Sequence, residues 1–591
     1  MKSEIGDPLS VGSFSKERLV EHLEEYAVLL ELKGESPFKS RAYANAARVL
    51  ERLEYDIQEA VETRRLLKEE GIGKGTFETI AAWVTTGASP DYDALKTAIP
   101  AGLVEMLDIR GLGVKKIRLI HETLGITNLV DLEYACVENR LVDLSGFGRK
   151  TQEKIQQGIA FHKKHQGYLH AHTAQSIGEH LLSQLREMEV VQRASTVGGL
   201  RRRNEIVRRI DLIVSSASPE EVKAGFYTID GIVESQCRSQ IQSGFETLTC
   251  TMTDGVAVRI HLVADDRFSF LLHHFTGNEA YQQAFSSRAQ QFGIKVSDYG
   301  LFLDDHLLPC PTEQDLFSTL DLDYIPPELR EGRGEVDAAG RHALPQLVTE
   351  KDIRGIFHVH STYSDGSASL AEMIAAAETA GYEYIGISDH SQSAIYANGL
   401  KAERVRKQHE EIDVLQKQFQ QIQILKGIES DILPDGRLDY DEEILTSFDF
   451  VIASIHSNFN MSESEMTRRV VRAISHPSVT ILGHPTGRLL LSREAYPLNL
   501  SAVIEAARAH NVIIELNASP YRLDLDWRYC IMAKKAGVRL SLNPDAHQIE
   551  SMTALSAGIG IARKGWLSPD DVFNTLPKEE ILTYLNQNSV A

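Results

Sequence analysis

The segment Phe357-His358-Val359-His360-Ser361-Thr362-Tyr363-Ser364-Asp365-Gly366 sets two histidines either side of one valine, with an aspartate close behind. Taken as a strand up to Ser361, it turns His358 and His360 to one face, because side chains alternate with a period of two. Two imidazoles aimed the same way make half of a transition-metal site. The plain alternative is a pair of ordinary histidines on a half-buried strand, and an isolated HxH does not separate the two. The residues downstream do.

From Ile353 onward, short apolar runs alternate with helical stretches: Tyr384-Ile385-Gly386-Ile387-Ser388, Ile424-Leu425-Lys426-Gly427-Ile428, Phe450-Val451-Ile452-Ala453-Ser454, Val479-Thr480-Ile481-Leu482-Gly483, Val512-Ile513-Ile514-Glu515-Leu516 and Arg539-Leu540-Ser541-Leu542. Repeated β-α units predict a parallel sheet closed into a barrel. Asp389-His390 follows the second strand, Glu429 the third, His456 the fourth, His484 the fifth and Asp545-Ala546-His547 the last. In a parallel barrel the C-terminal strand ends form one rim. His390, Glu429, His456, His484, Asp545 and His547 are therefore expected to converge there with the His358-His360 pair, as residues of metal-binding type. Arg488, in Gly483-His484-Pro485-Thr486-Gly487-Arg488, is a candidate phosphate clamp, with a surface arginine as the alternative. Asp389 is a candidate to orient His390, while Asp431 and Asn517 read as structural.

The chain has 591 residues, too many for one core. Hydrophobic content of 42% and charged content of 25% describe an ordinary soluble protein. No apolar run approaches the roughly 18 residues of a membrane span, and Met1-Lys2-Ser3-Glu4-Ile5-Gly6-Asp7 lacks the apolar core of a signal peptide. The five scattered cysteines form no CxxC pair, which predicts reduced thiols, a cytoplasmic protein and no zinc-thiolate site. A net charge of −21 argues against nucleic acid as a partner. A carboxylate-rich metal site biases that sum, however, and Arg201-Arg202-Arg203 and Arg208-Arg209 remain available for phosphate contacts.

Residues from about 14 to 90 read as helices, with Leu19, Leu23, Tyr26, Leu29 and Leu30 at helical spacing. Gly71-Ile72-Gly73-Lys74 leads into a further helix, and the pattern returns as Gly111-Leu112-Gly113-Val114-Lys115 and as Gly146-Phe147-Gly148-Arg149-Lys150. A lone GxG marks a turn. Three copies, each with an apolar middle residue and bases close behind, resemble the helix-hairpin-helix motif. Its glycines let backbone N–H groups approach a DNA phosphate at a helix N-terminus, gripping the backbone without reading sequence. Gly71, Gly73, Lys74, Gly111, Gly113, Lys115, Gly146, Gly148 and Lys150 are the expected DNA contacts.

Between these regions, Thr196-Val197-Gly198-Gly199-Leu200-Arg201-Arg202-Arg203 running on through Arg209-Ile210-Asp211 resembles the nucleotidyltransferase signature of family X DNA polymerases. Phe275-Thr276-Gly277-Asn278, Val296-Ser297-Asp298-Tyr299-Gly300-Leu301-Phe302 and Tyr324-Ile325-Pro326-Pro327-Glu328-Leu329-Arg330-Glu331 extend the resemblance. With the hairpins and the histidine-rich lobe, it covers nearly the whole chain. The resemblance is to the bacterial-type DNA polymerase X family with a C-terminal PHP (polymerase and histidinol phosphatase) domain. It implies a multidomain fold: a helical lyase-like domain over 1–95 with the first hairpin, a helix-hairpin-helix fingers-like region over 96–165, an α+β nucleotidyltransferase-like palm and thumb over 166–330, a polar linker over 331–350 and an α/β PHP barrel over 351–591.

The departures from the family pattern shape the expected activity. Nucleotidyl transfer needs grouped carboxylates to hold two Mg²⁺ ions. Here the first family aspartate falls on Arg209 and the third on His261, which leaves Asp211 alone. Asp265 and Asp266 lie too far along the strand, about 13 Å, to take its place, and a fixed arginine charge repels a divalent cation. Little or no polymerase activity is expected, and a dNTP partner only where the palm still functions. Thr79 stands where lyase-active relatives place a lysine, and Lys68 and Lys74 suit phosphate contacts better, so lyase chemistry is not expected.

For the histidine-rich lobe, the resemblance implies one metal on His358, His360, Glu429 and Asp545. Glu429 would bridge to a second on His456 and His484, and Asp365, His390 and His547 would hold a third. Mixed imidazole and carboxylate ligands suit Mn²⁺ or Zn²⁺ better than Mg²⁺, and family habit favours Mn²⁺. Such metals activate water for phosphoester hydrolysis, with Glu429, His456, His484 and Arg488 as the catalytic candidates. The expected protein is a monomeric DNA-repair 3′→5′ exonuclease or 3′-end-processing phosphoesterase acting on gapped or 3′-ended DNA, independent of any membrane. Gap-filling polymerisation and a small-molecule phosphatase of the histidinol-phosphate type are the alternatives.

Overall fold

A computed structural model describes residues 16–588 except 54, 143, 243 and 553–554; the Met1–Asp7 stretch lies outside them. The chain forms two compact units, 1–166 and 167–591. Among the described residues no helix is long and apolar enough to cross a membrane.

The first unit is helical. Helices α1 (Lys16–Lys33) and α2 (Pro37–Arg52) pack through Leu19, Leu23, Tyr26 and Leu30 against Tyr43, Ala46, Ala47 and Leu50. Ser36 starts α2 by accepting from Phe38 N–H, ahead of a proline at the first helical position. Each GxG segment opens a helix: α3 (Lys74–Thr86), α4 (Val114–Leu124) and α5 (Arg149–His165). Gly71, Gly111 and Gly146 take φ of +105°, +94° and +81°, the left-handed region that favours glycine. The middle residues Ile72, Leu112 and Phe147 are buried and pin each turn to the core.

The second unit begins with a five-stranded sheet of β1 (Val191–Thr196), β2 (Ile210–Ser216), β3 (Cys237–Gln242), β4 (Phe245–Thr251) and β5 (Ala257–Val263) in the order β1-β2-β5-β4-β3. Only β2 and β5 pair in parallel, with Asp211 opposite Arg259 and Ile213 opposite His261. Cys237 and Cys250 face each other across β3 and β4 with Cα atoms 4.1 Å apart and form a disulfide, contrary to the expectation of reduced thiols. Antiparallel register brings them together, and their scattered spacing along the chain concealed it. Cys136, Cys310 and Cys530 are free and buried.

Seven parallel strands follow in sequential order: β6 (Gly355–Val359), β7 (Tyr384–Ile387), β8 (Gln423–Asp431), β9 (Phe450–Ser454), β10 (Ile481–Leu482), β11 (Ile513–Asn517) and β12 (Leu540–Asn543). A bridge between Val359 and Ala546 brings the last strand back to the first, so the expected barrel is nearly closed. Phe357, Tyr384, Leu425, Phe450, Ile481 and Ile513 form one apolar cluster with Phe573 and the C-terminal helix residues Ile581 and Leu585. A Cβ on Gly427 would fall 2.1 Å from the Phe450 ring, so that strand position admits no side chain. A second cluster joins the other strand residues to the surrounding helices.

Residues 331–350, expected as a polar linker, are packed. They carry the helix Glu335–Ala339 and bury Val336, Ala339 and Val348. Next to them the Lys564 ammonium, 1% exposed, donates to Glu331, to Asn204 Oδ1 at 2.7 Å and to Arg202 O at 3.1 Å. This joins the β1–β5 half to the barrel. Removing one partner of a buried charge network strands the others. Lys564→Ala is expected to cost about 3–5 kcal/mol, read as a lower denaturant midpoint with an unchanged slope.

Candidate active site

The barrel strands end on one rim and bring all nine predicted ligands together. Glu429 is the centre. Its Oε1 lies 3.2 Å from His358 Nε2, 3.2 Å from His456 Nε2 and 2.9 Å from His484 Nε2. Its Oε2 lies 2.8 Å from His390 Nδ1 and 3.8 Å from His360 Nε2. Asp545 Oδ1 sits 3.5 Å from His358 Nε2 and 3.4 Å from His360 Nε2, and Asp365 Oδ1 sits 3.6 Å and 3.5 Å from His390 Nε2 and His547 Nε2. Four groups have ligand atoms close enough to share an ion: His360-Asp365-His390-His547, His358-His360-Asp545, His358-Glu429-His484 and His390-Glu429-His456. The second group falls within the family-based allocation; the first adds His360 to the expected third site, the third seats His484 beside His358, and the fourth seats His390 with Glu429 and His456.

The HxH pair converges by a route other than simple alternation. His358 has φ +60°, and the β6–β7 register shifts between Ile356 and Val359. Asp545 has φ +52°. Non-glycine residues held in the left-handed region cost about 1–3 kcal/mol each and cluster at functional sites.

The residues around the cluster correct several expectations. Arg488 is half-buried and already engaged, with its guanidinium on Asp526 Oδ2 at 2.8 Å, Arg522 O at 3.0 Å and Glu205 Oε1 at 3.5 Å, so it is not free to clamp a phosphate. The arginine at the cluster is Arg522, whose Nε lies 3.3 Å from Asp545 Oδ2. Asp389 does not touch the His390 ring; it accepts from Ser361 and Ser364 backbone N–H groups and from Gln408, fixing the loop that carries Asp365. Asp431, read as structural, accepts from His456 Nδ1 at 2.6 Å. Glu515 accepts from His358 Nδ1 at 2.6 Å and from the His484 backbone N–H at 2.6 Å, and Asn517 Nδ2 donates to Asp545 Oδ2 at 3.1 Å. Each lies on a barrel strand or the loop after it, the same positional signal that located the ligands.

Charge and orphaned atoms indicate what the cluster accommodates. Burial opposes ionisation of Glu429, yet His456, His358 and His390 hold its carboxyl well below the usual range. Burial likewise opposes a charge on His456, but Glu429 and Asp431 push its imidazole up to about 10. Burial, with His390 and His547 beside it, holds His360 well below its ordinary value. The carboxylates thus draw positive charge into a site whose centre is buried, while Asp365 and His547 at its edge keep contact with solvent. Among the described residues, His358 Nε2, both ring nitrogens of His360, His390 Nδ1 and Glu429 Oε2 are buried without a hydrogen bond. Such atoms normally have partners. Imidazole nitrogens and carboxylate oxygens that converge on one another without forming hydrogen bonds are a donor set that fits divalent cations.

In the family's other active-site region the one remaining carboxylate is paired with arginines. Asp211 Oδ1 accepts from Arg209 Nε at 2.9 Å and from Arg259 Nε at 2.7 Å. The residue facing Asp211 across the sheet is therefore Arg259, and His261 is not the missing third position. His261 lies two pairs further along, bonded to Thr247 and stacked on Phe275 at 3.8 Å; burial, then Arg259 and Arg209, press its pKa down to about 3. Of the other arginines left open for phosphate, Arg201 is engaged with Glu313, Arg202 with Glu331 and Arg203 with Gln175, while the exposed Arg208 lies over the Tyr168 ring. Burial raises the Glu313 pKa, but Arg201 and Arg330 hold it at about 2. Asp265 is taken by Arg193 and Ser215.

In the helical unit, Gly73, Gly113 and Gly148 cap α3, α4 and α5 without a side-chain hydrogen bond. A Cβ at any of the three would meet nothing within 4 Å, so packing within the unit does not require glycine there. Lys74, Lys115 and Lys150 are exposed beside these helix starts.

Comparison with known proteins matches these parts. Residues 357–519 match the PHP domain, 271–331 the DNA polymerase beta thumb, 15–89 a helix-hairpin-helix domain and 103–160 a SAM-like helix-hairpin-helix tandem. The chain is 36% identical over 577 residues, 97% of its length, to all of the DNA polymerase/3′-5′ exonuclease PolX of Bacillus subtilis (strain 168). A probable phosphatase of Thermoanaerobacter sp. (strain X514) is 31% identical over 174 residues, 28% of this chain and 69% of that protein. One from Caldanaerobacter subterraneus subsp. tengcongensis is 34% identical over 146 residues, 23% and 55% respectively. Near-full-length identity, hairpins, thumb and PHP barrel agree: the chain belongs to the DNA polymerase X family that carries a C-terminal PHP domain.

Proposed function

We propose that the protein is a metal-dependent 3′→5′ exonuclease or 3′-end-processing phosphoesterase of DNA repair, with polymerase activity lost or weak. The observation that carries this is the contrast between two sites on one chain: a cluster of nine metal-type residues with orphaned buried donors, and an Asp211 neutralised by two arginines. His358, His360, Asp365, His390, Glu429, His456, His484, Asp545 and His547 would hold up to three divalent cations, Mn²⁺ ahead of Zn²⁺. Bound there, such ions supply an activated water and neutralise charge on the phosphate oxygens. Arg522 adds a fixed positive charge at the cluster and suits a non-bridging phosphate oxygen. Glu515 and Asp431 fix the His358 and His456 rings through Nδ1, which leaves Nε2 of each directed at Glu429.

The hairpins of the first unit would hold gapped or 3′-ended DNA. Backbone N–H groups at Gly73, Gly113 and Gly148, the left-handed Gly71, Gly111 and Gly146, and the side chains Lys74, Lys115 and Lys150 grip phosphates without reading bases. Division of the chain at about 95, 165, 330 and 350 assigns delivery to the helices and hydrolysis to the barrel. The protein would work as a cytoplasmic monomer, without a membrane or a dNTP.

The test is a 5′-labelled gapped duplex with Mn²⁺, with and without dNTPs. Shortening regardless of dNTPs supports the exonuclease; templated extension supports gap filling, and no change in either supports a non-catalytic DNA scaffold. A narrower prediction concerns orientation of the ligands. Glu515→Gln is expected to weaken Mn²⁺ binding about 10–100-fold, measured by metal titration, with the fold intact.

A further inference from the structure

A loop beside the cluster combines a fixed backbone with exposed apolar side chains. Residues 391–400 leave His390 and return to it: Leu400 N–H donates to His390 O at 2.8 Å and Gly399 N–H to Ala394 O at 3.1 Å. A Cβ at Gly399 would lie 1.9 Å from Ser391 O, so only glycine lets the loop close this tightly. Ser393 N–H donates to Asp439 Oδ2 at 2.6 Å and its hydroxyl to Asp431 Oδ2 at 2.7 Å. Asp431 also accepts from His456, so one carboxylate positions both the loop and a ligand. Ala394 and Ala397 are buried, and between them Ile395 and Tyr396 are 86% and 71% exposed.

Single exposed apolar residues are ordinary on any surface. Two adjacent ones on a loop tied down on both sides are held outward by the fold. The Tyr396 ring lies 6.1 Å from the His390 ring and 6.5 Å from the His456 ring. Tyr521, on the same side of the barrel, is instead set edge-on to His170 and His172 at 5.2 Å and 5.0 Å. Tyr396 thus presents its aromatic face at the mouth of the cluster, with Ile395 extending the apolar surface.

We propose that Tyr396, flanked by Ile395, is the platform on which the 3′-terminal base of a DNA strand stacks, placing the adjoining phosphodiester at the His390-Glu429-His456 group. This rests on the exonuclease reading. One nucleoside spans the gap between a base on this ring and a phosphate at the cluster, so stacking selects the bond joining the last nucleotide to its neighbour. Water adds to that phosphorus, the bond to the neighbour's 3′-oxygen breaks and one of the water's protons ends on that oxygen. The terminal nucleotide leaves as a 5′-monophosphate and the strand keeps a 3′-hydroxyl. Every base offers a π-face, so an aromatic platform tolerates any sequence, as trimming at arbitrary ends requires.

The test uses the full-length protein with Mn²⁺ and 5′-labelled single strands ending either in a normal nucleotide or in an abasic tetrahydrofuran residue. Tyr396→Ala is expected to raise KM about ten-fold or more on the base-bearing end, with kcat little changed and no change in KM on the abasic end. Tyr396→Phe keeps wild-type behaviour, because the ring rather than the hydroxyl does the stacking. Equal effects of Tyr396→Ala on both ends, no effect on either, or a loss in Tyr396→Phe as large as in Tyr396→Ala overturns the platform and leaves the exonuclease standing. A wild type that shortens neither strand overturns the exonuclease reading and the platform with it.

Discussion

Glu429→Gln is expected to abolish hydrolysis, lowering the rate by at least about 10³-fold, the scale seen when a preorganised electrostatic stabiliser is removed. One carboxylate approaches five imidazoles, with Oε1 facing His358, His456 and His484 and Oε2 facing His390 and His360. Asp545, by comparison, meets three imidazoles, those of His358, His360 and His547. Glutamine keeps the shape and removes the negative charge that would let two cations share this position. It also turns an N–H₂ group toward ring nitrogens that themselves await a cation. Because the change is isosteric and falls in the barrel, not among the hairpin residues, the variant should melt as a folded protein and bind DNA as the wild type does, while Mn²⁺ uptake falls. Measuring strand shortening, metal content and gel-shift affinity on one preparation separates these effects. A variant that keeps a tenth of wild-type hydrolysis would show that Glu429 is not the shared ligand.

The sequence made the rim legible because barrel geometry converts a one-dimensional rule into a place. A metal-type residue just past an apolar run in a β-α repeat has only one end of the barrel to occupy, and His390, His456, His484 and Asp545 obeyed that rule. The hairpins were legible for a similar reason, since Gly71, Gly111 and Gly146 need left-handed backbone that other residues adopt at a cost. What escaped depends on side-chain direction and long-range register. Arg488 follows a ligand by four positions, yet its loop turns it onto Asp526 while Arg522, from the loop after β11, reaches the cluster. Nothing local distinguishes the two. Arg259 and His261 share one strand face, and only the pairing of β2 with β5 decides which one meets Asp211. Cys237 and Cys250 escaped for the same reason. Asp431 and Glu515 look like ordinary strand acids until the rings they hold are in place.

The arginines beside Asp211 lead to the second large effect. The wild type is expected to give no robust primer extension with Mg²⁺ or Mn²⁺, and Arg209→Asp combined with Arg259→Asp to create a cation site where none exists. Asp211 with two guanidinium groups carries a net charge of plus one; three carboxylates in that register would carry minus three. At an effective dielectric of about 20 and a separation of about 4 Å, each unit charge acts on a divalent ion with roughly 8 kcal/mol, reduced by solvent at the half-exposed Arg209. The substitution therefore reverses a repulsion instead of weakening an attraction. Mn²⁺ titration of a variant whose barrel cluster is already disabled by Glu429→Gln reads this site alone. Extension is a stricter demand than binding, because Arg201 and Arg202 stay engaged with Glu313 and Glu331, away from any triphosphate. The triple variant should bind Mn²⁺ and still extend primers poorly. Robust extension by the wild type would instead mean that Asp211 is released from both arginines when DNA and nucleotide bind, and the polymerase reading would return.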